Sequence, residues 1–260
     1  MSDVLTDLFA LDGRVAVVTG GSRGIGYMIA EGYVRAGVRV YITARKAEAC
    51  EQAAAELSTY GECVALPADL STEAECIRFA ASVAEREERV DILVNNAGAT
   101  WGAPIDEYPD SAWDKVLNVN VKAVFHLTRA LLPQLRAAAS PDAPARVINI
   151  GSIDGIQVPM LETYAYSSSK AAVHQLTRHL AKRLAREHIT VNAVAPGPFP
   201  SKMMAATLEA FEAEIVAGNP MGRIGRPEDM AGVAIYLASR AASYVTGAVI
   251  PVDGGFATTK

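Results

Sequence analysis

Residues 14–26 read RVAVVTGGSRGIG, an apolar run, then a glycine turn, and they open directly into YMIAEGYVRAG (27–37), an amphipathic helical pattern. Gly20, Gly24 and Gly26 follow a G-xxx-G-x-G spacing. That differs from the G-x-G-x-x-G dinucleotide fingerprint but obeys the same physics. The turn is tight, the backbone can approach a pyrophosphate closely, and a helix amino terminus faces the phosphate charge. Placed after the first strand of a strand–helix–strand unit, the segment predicts a dinucleotide site at Gly20, Ser22, Arg23, Gly24, Ile25 and Gly26.

Working outward, six further runs rich in valine and isoleucine recur at 38–45, 63–69, 90–98, 145–152, 189–197 and 248–255. They are short, continuous and without polar alternation, as suits strands buried on both faces of a parallel sheet. Alanine-rich stretches of helical periodicity lie between them, among them ACEQAAAELSTY (49–60) and VHQLTRHLAKRLAREH (173–188). Seven strands alternating with helices predict an α/β Rossmann fold: a seven-stranded, doubly wound parallel sheet flanked by helices. No Pro/Gly/Ser-rich linker divides residues 1–260, so a single domain is expected. The irregular stretch from about 198 to 226 follows a strand's carboxyl end, where open α/β sheets bind ligands. It contains KMMAATLEAFEAEIVAG (202–218), a short helix that is expected either to cover a pocket as a lid or to form a surface excursion.

Bulk properties exclude several classes. Half of the 260 residues are hydrophobic and a fifth charged, ordinary for a chain that buries a substantial core. A net charge of −5 argues against a nucleic-acid partner and against a polybasic membrane-surface protein. The opening MSDVLTDLFALDGR, with Asp3, Asp7 and Asp12, does not resemble a signal peptide, and no apolar stretch is long enough to span a bilayer. Cys50, Cys63 and Cys76 form no CxxC pair and read as reduced thiols of a cytoplasmic protein. His126, His174, His179 and His188 show no metal-binding spacing, so no metal site is expected and they read as surface or packing residues.

The end of the second strand, YITARK (41–46), bears on cofactor type. A carboxylate there would bond a ribose 2′-hydroxyl and repel a 2′-phosphate. Ala44 stands in that place, followed by Arg45 and Lys46, with Arg23 in the glycine turn nearby. Guanidinium groups grip phosphate bidentately, so the cluster predicts NADP(H) over NAD(H). The competing reading has Arg45 and Lys46 only solvating a helix start, where cations are mildly unfavourable.

TGGSRGIG (19–26), NNAG (95–98), Ser152, Tyr166-SSS-Lys170 and PG (196–197) occur in order. With this set the chain resembles the short-chain dehydrogenase/reductase family over essentially its whole length. Within it, AYSSSKAAVHQLTRHLA (165–181), ITVNAVAPGPFPSKM (189–203), NPMGRIGRPEDMA (219–231) and YVTGAVIPVDGGF (244–256) resemble 3-oxoacyl thioester reductases of the rhamnolipid-pathway type. The resemblance implies that Asp69 and Leu70 meet adenine, that Asn96 meets the adenosine ribose while Asn95 fixes the backbone, and that Phe199 and Ser201 lie on the nicotinamide side. It also places Gly98, Pro196 and Gly197 at the cofactor, and implies a homotetramer joined through the long helices and the last strand.

Reducing a ketone needs hydride at carbon and a proton at oxygen. A phenol is a weak acid, with an unperturbed pKa near 10. An ammonium about 4 Å away favours phenolate by roughly 4 kcal/mol at an effective dielectric of ~20, enough to lower that pKa by up to roughly three units. Tyr166 and Lys170 are four apart and share a helical face, whereas Tyr164 lies about 200° round from Tyr166 and has Ser168 at its own fourth position. Tyr166 is therefore the expected acid and Tyr164 pocket wall or core. Ser152, at a strand's carboxyl end, is expected to hold the substrate oxygen. The resemblance adds that Lys170 bonds the nicotinamide ribose. It also selects Asn120 over Asn118 as the fourth catalytic position, in a water relay toward Lys170. Two departures stand out: Ala123 where the family often has glycine, and one extra residue between Ser152 and Tyr166.

The expected function is NADPH-dependent reduction of a ketone or acyl thioester. Trp101, Met160, Leu161, Met203 and Met204 are candidates for an apolar substrate wall, though core packing is the alternative. Competing readings are a dehydrogenase of a sugar acid or other secondary alcohol and a catalytically silent dinucleotide sensor.

Overall fold

The computed structural model describes residues 4–259. A single α/β domain is built on one sheet of seven parallel strands in the order β3-β2-β1-β4-β5-β6-β7. The strands are β1 (Val15–Thr19), β2 (Arg39–Thr43), β3 (Cys63–Ala65), β4 (Ile92–Asn95), β5 (Ala145–Ile150), β6 (Ile189–Pro196) and β7 (Val249–Val252). All seven fall inside the expected runs but are shorter. The run 63–69 stops at Ala65, two residues before Pro67, which has no N–H to give the ladder. The last strand ends before Gly254 and Gly255, both at positive φ.

The helices are α1 (Val4–Phe9), α2 (Gly24–Arg35), α3 (Ala47–Leu57), α4 (Glu73–Ala84), α5 (Asp110–Leu117), α6 (Ala123–Ala130), α7 (Leu132–Ala138), α8 (Tyr164–Leu184), α9 (Ala205–Ala217) and α10 (Pro227–Ala238). Two-residue alternation divides the strand side chains between two cores. Ala16, Val18, Val40, Ile42, Ile148 and Ile150 meet Ile29, Tyr33, Leu57 and Met230 of α2, α3 and α10. Val15, Val17, Leu93, Val147 and Val191 meet Phe79, Leu127, Leu135 and Leu184 of α4, α6, α7 and α8. Burying both faces explains why the runs lack polar alternation.

The strand order reverses between β1 and β4. The carboxyl ends of the strands at such a reversal are where open α/β sheets bind ligands. Thr19, Asn95, Ile150 and Pro196, the last residues of β1, β4, β5 and β6, bring the predicted motifs to one edge.

Candidate active site

The glycine turn is braced from the neighbouring strand. Gly20 and Gly24 hold left-handed φ of 66° and 55°. A Cβ on Gly26 would lie 2.4 Å from both Asn96 Nδ2 and the Gly20 carbonyl oxygen, so no side chain fits between turn and helix. Asn96 Nδ2 donates to the carbonyls of Thr19 (2.8 Å) and Gly20 (3.2 Å), while Thr19 Oγ1 accepts from Asn96 N and Ala97 N. The backbone role expected of Asn95 thus falls to Asn96. Asn96 fixes the turn's backbone, and Asn95 lies under the sheet edge in a buried row, donating to Asn149 Oδ1 and Thr128 Oγ1. Both amide hydrogens of Asn96 are used in this brace.

Gly21 N donates to the carbonyl of Thr43, seating the turn against the end of β2. Arg23, Arg45 and Lys46 are exposed on that rim, and none pairs with a carboxylate among the described residues. Leu70 is buried and Asp69 exposed, its Oδ1 accepting from Ser71 N. Ser201 Cβ would stand 3.2 Å from a Cβ on Gly24, which brings the base of the 198–226 segment to the phosphate turn. Pro196 is buried at the end of β6, and Gly197 lies so close to Asp253 that a Cβ would come within 2.7 Å of it. Phe199 turns the other way. It is 2% exposed, and its ring packs under Gly225.

Tyr166 and Lys170 lie one turn apart on α8, facing Ser152 just beyond β5. The Tyr166 phenol lies close enough to the Ser152 hydroxyl for the serine to favour its phenolate. Ser152 caps a short 3₁₀ turn, Ile153–Gly155, its Oγ accepting from Asp154 N at 3.1 Å. Lys170 Nζ donates to the carbonyl of Ile150 at 2.8 Å and stands 5.4 Å from the centre of the Tyr166 ring. The expectation that Lys170 pulls the phenol's pKa down does not hold in this geometry. Burial pushes Tyr166 up to about 12, the Ser152 hydroxyl opposing and Asp154 adding to the rise. Burial also brings Lys170 down to about 8, with Asp154 opposing. Desolvation favours the neutral form of both groups.

Asn120 sits in a π-helical turn, Asn118–Lys122, between α5 and α6, a local widening often found at functional sites. Its Oδ1 accepts from Ala99 N, and its Nδ2 donates to the Ala99 carbonyl and to Ser169 Oγ. The side chain therefore ties the loop after β4 to the helix carrying Tyr166. Gly98 leaves a gap between Asn120 and Lys170, since a Cβ there would lie 3.4 Å from Asn120 Oδ1 and 3.8 Å from Lys170 Nζ.

Tyr164 is excluded from the Ser152 pair. Its hydroxyl bonds the Glu162 carboxylate, and its ring meets Tyr108 edge to face at 5.3 Å. Glu162 Oε2 also accepts from Ile105 N, lacing the loop before α8 to the loop before α5. Trp101, Met160, Leu161 and Met203 are exposed, and Met204 half-buried, so all five stand on rims and none is core. α9 buries only Ile215.

Thr19, Asp154, Ser169 and His174 were not singled out from the sequence for this site. His174 is 4% exposed with an unbonded Nε2, and burial takes its pKa down to about 4. Its ring fills the hollow left by two glycines, for a Cβ on Gly151 would come within 2.1 Å of Nε2 and one on Gly155 within 2.9 Å of Cε1. The helical spacing Tyr166, Lys170, His174 could have flagged it; nothing in the sequence marks Asp154. A separate cleft of about 560 Å³ at the amino ends of β1 and β2, lined by Asp12, Arg39, Tyr60 and Glu87, lies on the opposite side of the sheet from this chemistry.

Residues 20–257 match a family model described as enoyl-(acyl carrier protein) reductase. The rhamnolipids biosynthesis 3-oxoacyl-[acyl-carrier-protein] reductase of Pseudomonas aeruginosa is 57% identical over 251 residues, 95% of this chain and 98% of that protein. A solved structure of a Pseudomonas aeruginosa RhlG/NADP active-site complex superposes with a TM-score of 0.93 at 56% identity, covering 96% and 99% of the two chains. The 5-keto-D-gluconate 5-reductase of Escherichia coli is 34% identical, covering 96% of this chain and 98% of its own. On its seven-stranded parallel sheet, its glycine turn and its Ser–Tyr–Lys constellation, and on these near full-length matches, the chain belongs to the short-chain dehydrogenase/reductase family of oxidoreductases.

Proposed function

We propose that the protein reduces a ketone to a secondary alcohol with NADPH, and that its substrates are 3-oxoacyl thioesters. The observation carrying this reading is the Ser152–Tyr166 hydroxyl pair over a buried Lys170, beside a glycine turn rimmed by unpaired cations. The site fits NADP(H). The turn admits no side chain at Gly26, and Arg23, Arg45 and Lys46 are free to hold a 2′-phosphate. The NADP complex of the similar Pseudomonas aeruginosa protein supports the same choice.

When bound, NADPH supplies the hydride to the carbonyl carbon. Tyr166 Oη gives its proton to the carbonyl oxygen, which becomes the alcohol. Ser152 accepts from Asp154 N, so its own hydroxyl hydrogen remains to be donated to that oxygen as charge develops. Two hydroxyls converging on one oxygen suit a carbonyl better than the carbon–carbon double bond of an enoyl substrate. Lys170 would hold the nicotinamide-side ribose, and the gap at Gly98 leaves room for a water between it and Asn120. Gly20, Ser22, Gly24 and Ile25 would form the pyrophosphate cradle, Asp69 and Leu70 the adenine edge, and Pro196, Gly197, Phe199 and Ser201 the nicotinamide edge. The segment 198–226 would act as a lid, since α9 buries a single side chain and is held weakly.

The homology to a 3-oxoacyl-[acyl-carrier-protein] reductase and the apolar rim of Val158, Met160 and Leu161 favour an acyl chain. Three buried free thiols, each raised by burial, fit a reducing compartment, and we place the protein in the cytoplasm. No helix among the described residues is long and apolar enough to cross a membrane. Four copies are proposed to assemble. The test is NADPH oxidation, followed by absorbance, with a series of 3-oxoacyl thioesters and neutral diketones. Turnover that strengthens with acyl length supports the reading. Tight NADPH binding with no turnover of any ketone would make the protein a dinucleotide sensor.

A further inference from the structure

Asp154 lies two residues beyond Ser152, in the 3₁₀ turn Ile153–Gly155. Its backbone N–H holds Ser152 Oγ, and its carboxylate takes no part in that bond. The turn is pressed onto α8, since a Cβ on Gly155 would come within 2.7 Å of both Ala171 N and the Lys170 carbonyl carbon. From beneath, His174 fills the space between Gly151 and Gly155. The turn thereby holds Asp154 near Tyr166 and Lys170, and its charge bears on both groups. It is half-buried, and no donor or cation among the described residues bonds it. Burial raises its carboxyl above the ordinary range, while the Lys170 ammonium favours the anion.

A half-buried carboxylate without a partner is costly, and a fold that needed only a tight turn would do as well with a neutral side chain. The next residues along the chain, Val158, Met160 and Leu161, are exposed and apolar. Asp154 thus puts a negative charge close to Tyr166, the proposed acid, while Val158, Met160 and Leu161 offer apolar surface further along the chain.

We propose that Asp154 is a specificity-determining residue that rejects ketones bearing a carboxylate within a few bonds of the carbonyl and so reserves the site for uncharged ketones. The proposal rests on the reading of the site as a ketone reductase and narrows its substrate class. It separates the two enzymatic readings, because a keto sugar acid carries the charge that Asp154 repels and the acyl portion of a thioester does not.

The test compares 5-keto-D-gluconate with its uncharged methyl ester. Binding of each to the protein saturated with NADP+, which has no hydride to give, is measured by calorimetry for the natural chain and for Asp154→Asn. A like charge about 6 Å away at an effective dielectric of ~20 is worth up to about a hundredfold, and solvent screening reduces this to about tenfold. The acid-to-ester dissociation-constant ratio is expected to fall about tenfold in Asp154→Asn. It must fall in the same direction in Asp154→Ser, which also keeps the backbone N–H on Ser152 Oγ. An unchanged ratio, or no binding of the acid to either variant, overturns the proposal. Binding is read without turnover, so failure to reduce any thioester removes the proposed function while this comparison still reports on Asp154.

Discussion

Lys170 is the residue through which pH should act. Burial leaves Tyr166 a phenol throughout the neutral range, with its pKa up to about 12, so the proton required for reduction is present. The ammonium of Lys170, brought down to about 8, is the group that titrates first. The kcat/KM for ketone reduction is therefore expected to stay level below about pH 7 and to fall up to tenfold per unit above about pH 8. A pH–rate profile checks this, and a profile unbroken until pH ~10 would show that burial does not govern Lys170. Lys170→Met should lose about 10²–10⁴ in rate and the break with it. The stability effect has the opposite sense. The folded pKa lies below the ordinary 10.5, so the folded state binds fewer protons between about 8 and 10.5. Burying the ammonium costs stability at neutral pH, and that cost is relieved as pH rises through the window. The i, i+4 geometry of Tyr166 and Lys170 was legible because helical spacing alone brings them to one face. The direction of the tyrosine's shift was not, because it depends on how much water the fold removes. Asp154 was invisible for a related reason: an aspartate two residues past a serine reads as loop until the turn is seen lying on α8.

At the scale of elements, cofactor choice belongs to the junction of β2 and α3. Thr43 carries the bond that seats the glycine turn, and Ala44 follows it with no carboxylate. Ala44→Asp would place a negative charge where a 2′-phosphate is to be held. Relative kcat/KM for NADPH over NADH is expected to drop about 10- to 100-fold in Ala44→Asp and about tenfold in Arg45→Ala, read from initial rates with each cofactor. Equal use of both cofactors by the natural chain would remove the basis for either. The seven strands could be read from the sequence because burial on both faces makes the central ones continuous apolar runs, and the edge strands β3 and β7 share that apolar character. The π turn at Asn118–Lys122 could not, since NVNVK differs from an ordinary helical turn only in where the backbone bonds fall. The asparagine pair misled for the same kind of reason: adjacent residues on a strand point to opposite sides, and which side holds the turn depends on the position of Gly20. Phe199 reads as a cofactor contact by position, and Gly225 gives its ring a place in the core, which leaves the main chain for the proposed nicotinamide contact.

The whole molecule leaves apolar surface at two places that a second copy would cover. β7 closes the sheet as an edge strand with Val249, Ile250 and Val252 only half-buried, and Pro251 prevents a full edge ladder. Contact across β7 would therefore come from side chains, with little sheet extension. On α6, Phe125 is 40% exposed beside His126 and Arg129, a patch that a solvated helix face would not need. The proposed tetramer would use two such faces, each related by its own two-fold axis. Light scattering should then give about 110 kDa, four times the 27.5 kDa chain. Phe125→Asp is expected to halve that mass by opening the α6 face while leaving the β7 face closed. A natural chain that runs as a 27.5 kDa monomer would remove the assembly altogether. A Phe125→Asp protein that stays tetrameric would move the second interface away from α6. The site itself should survive the split, because Ser152, Tyr166, Lys170 and the glycine turn come from one chain. Activity per chain in the half-mass species therefore tests whether four copies serve stability or the chemistry. Retained turnover with a lowered melting temperature is the outcome this geometry predicts.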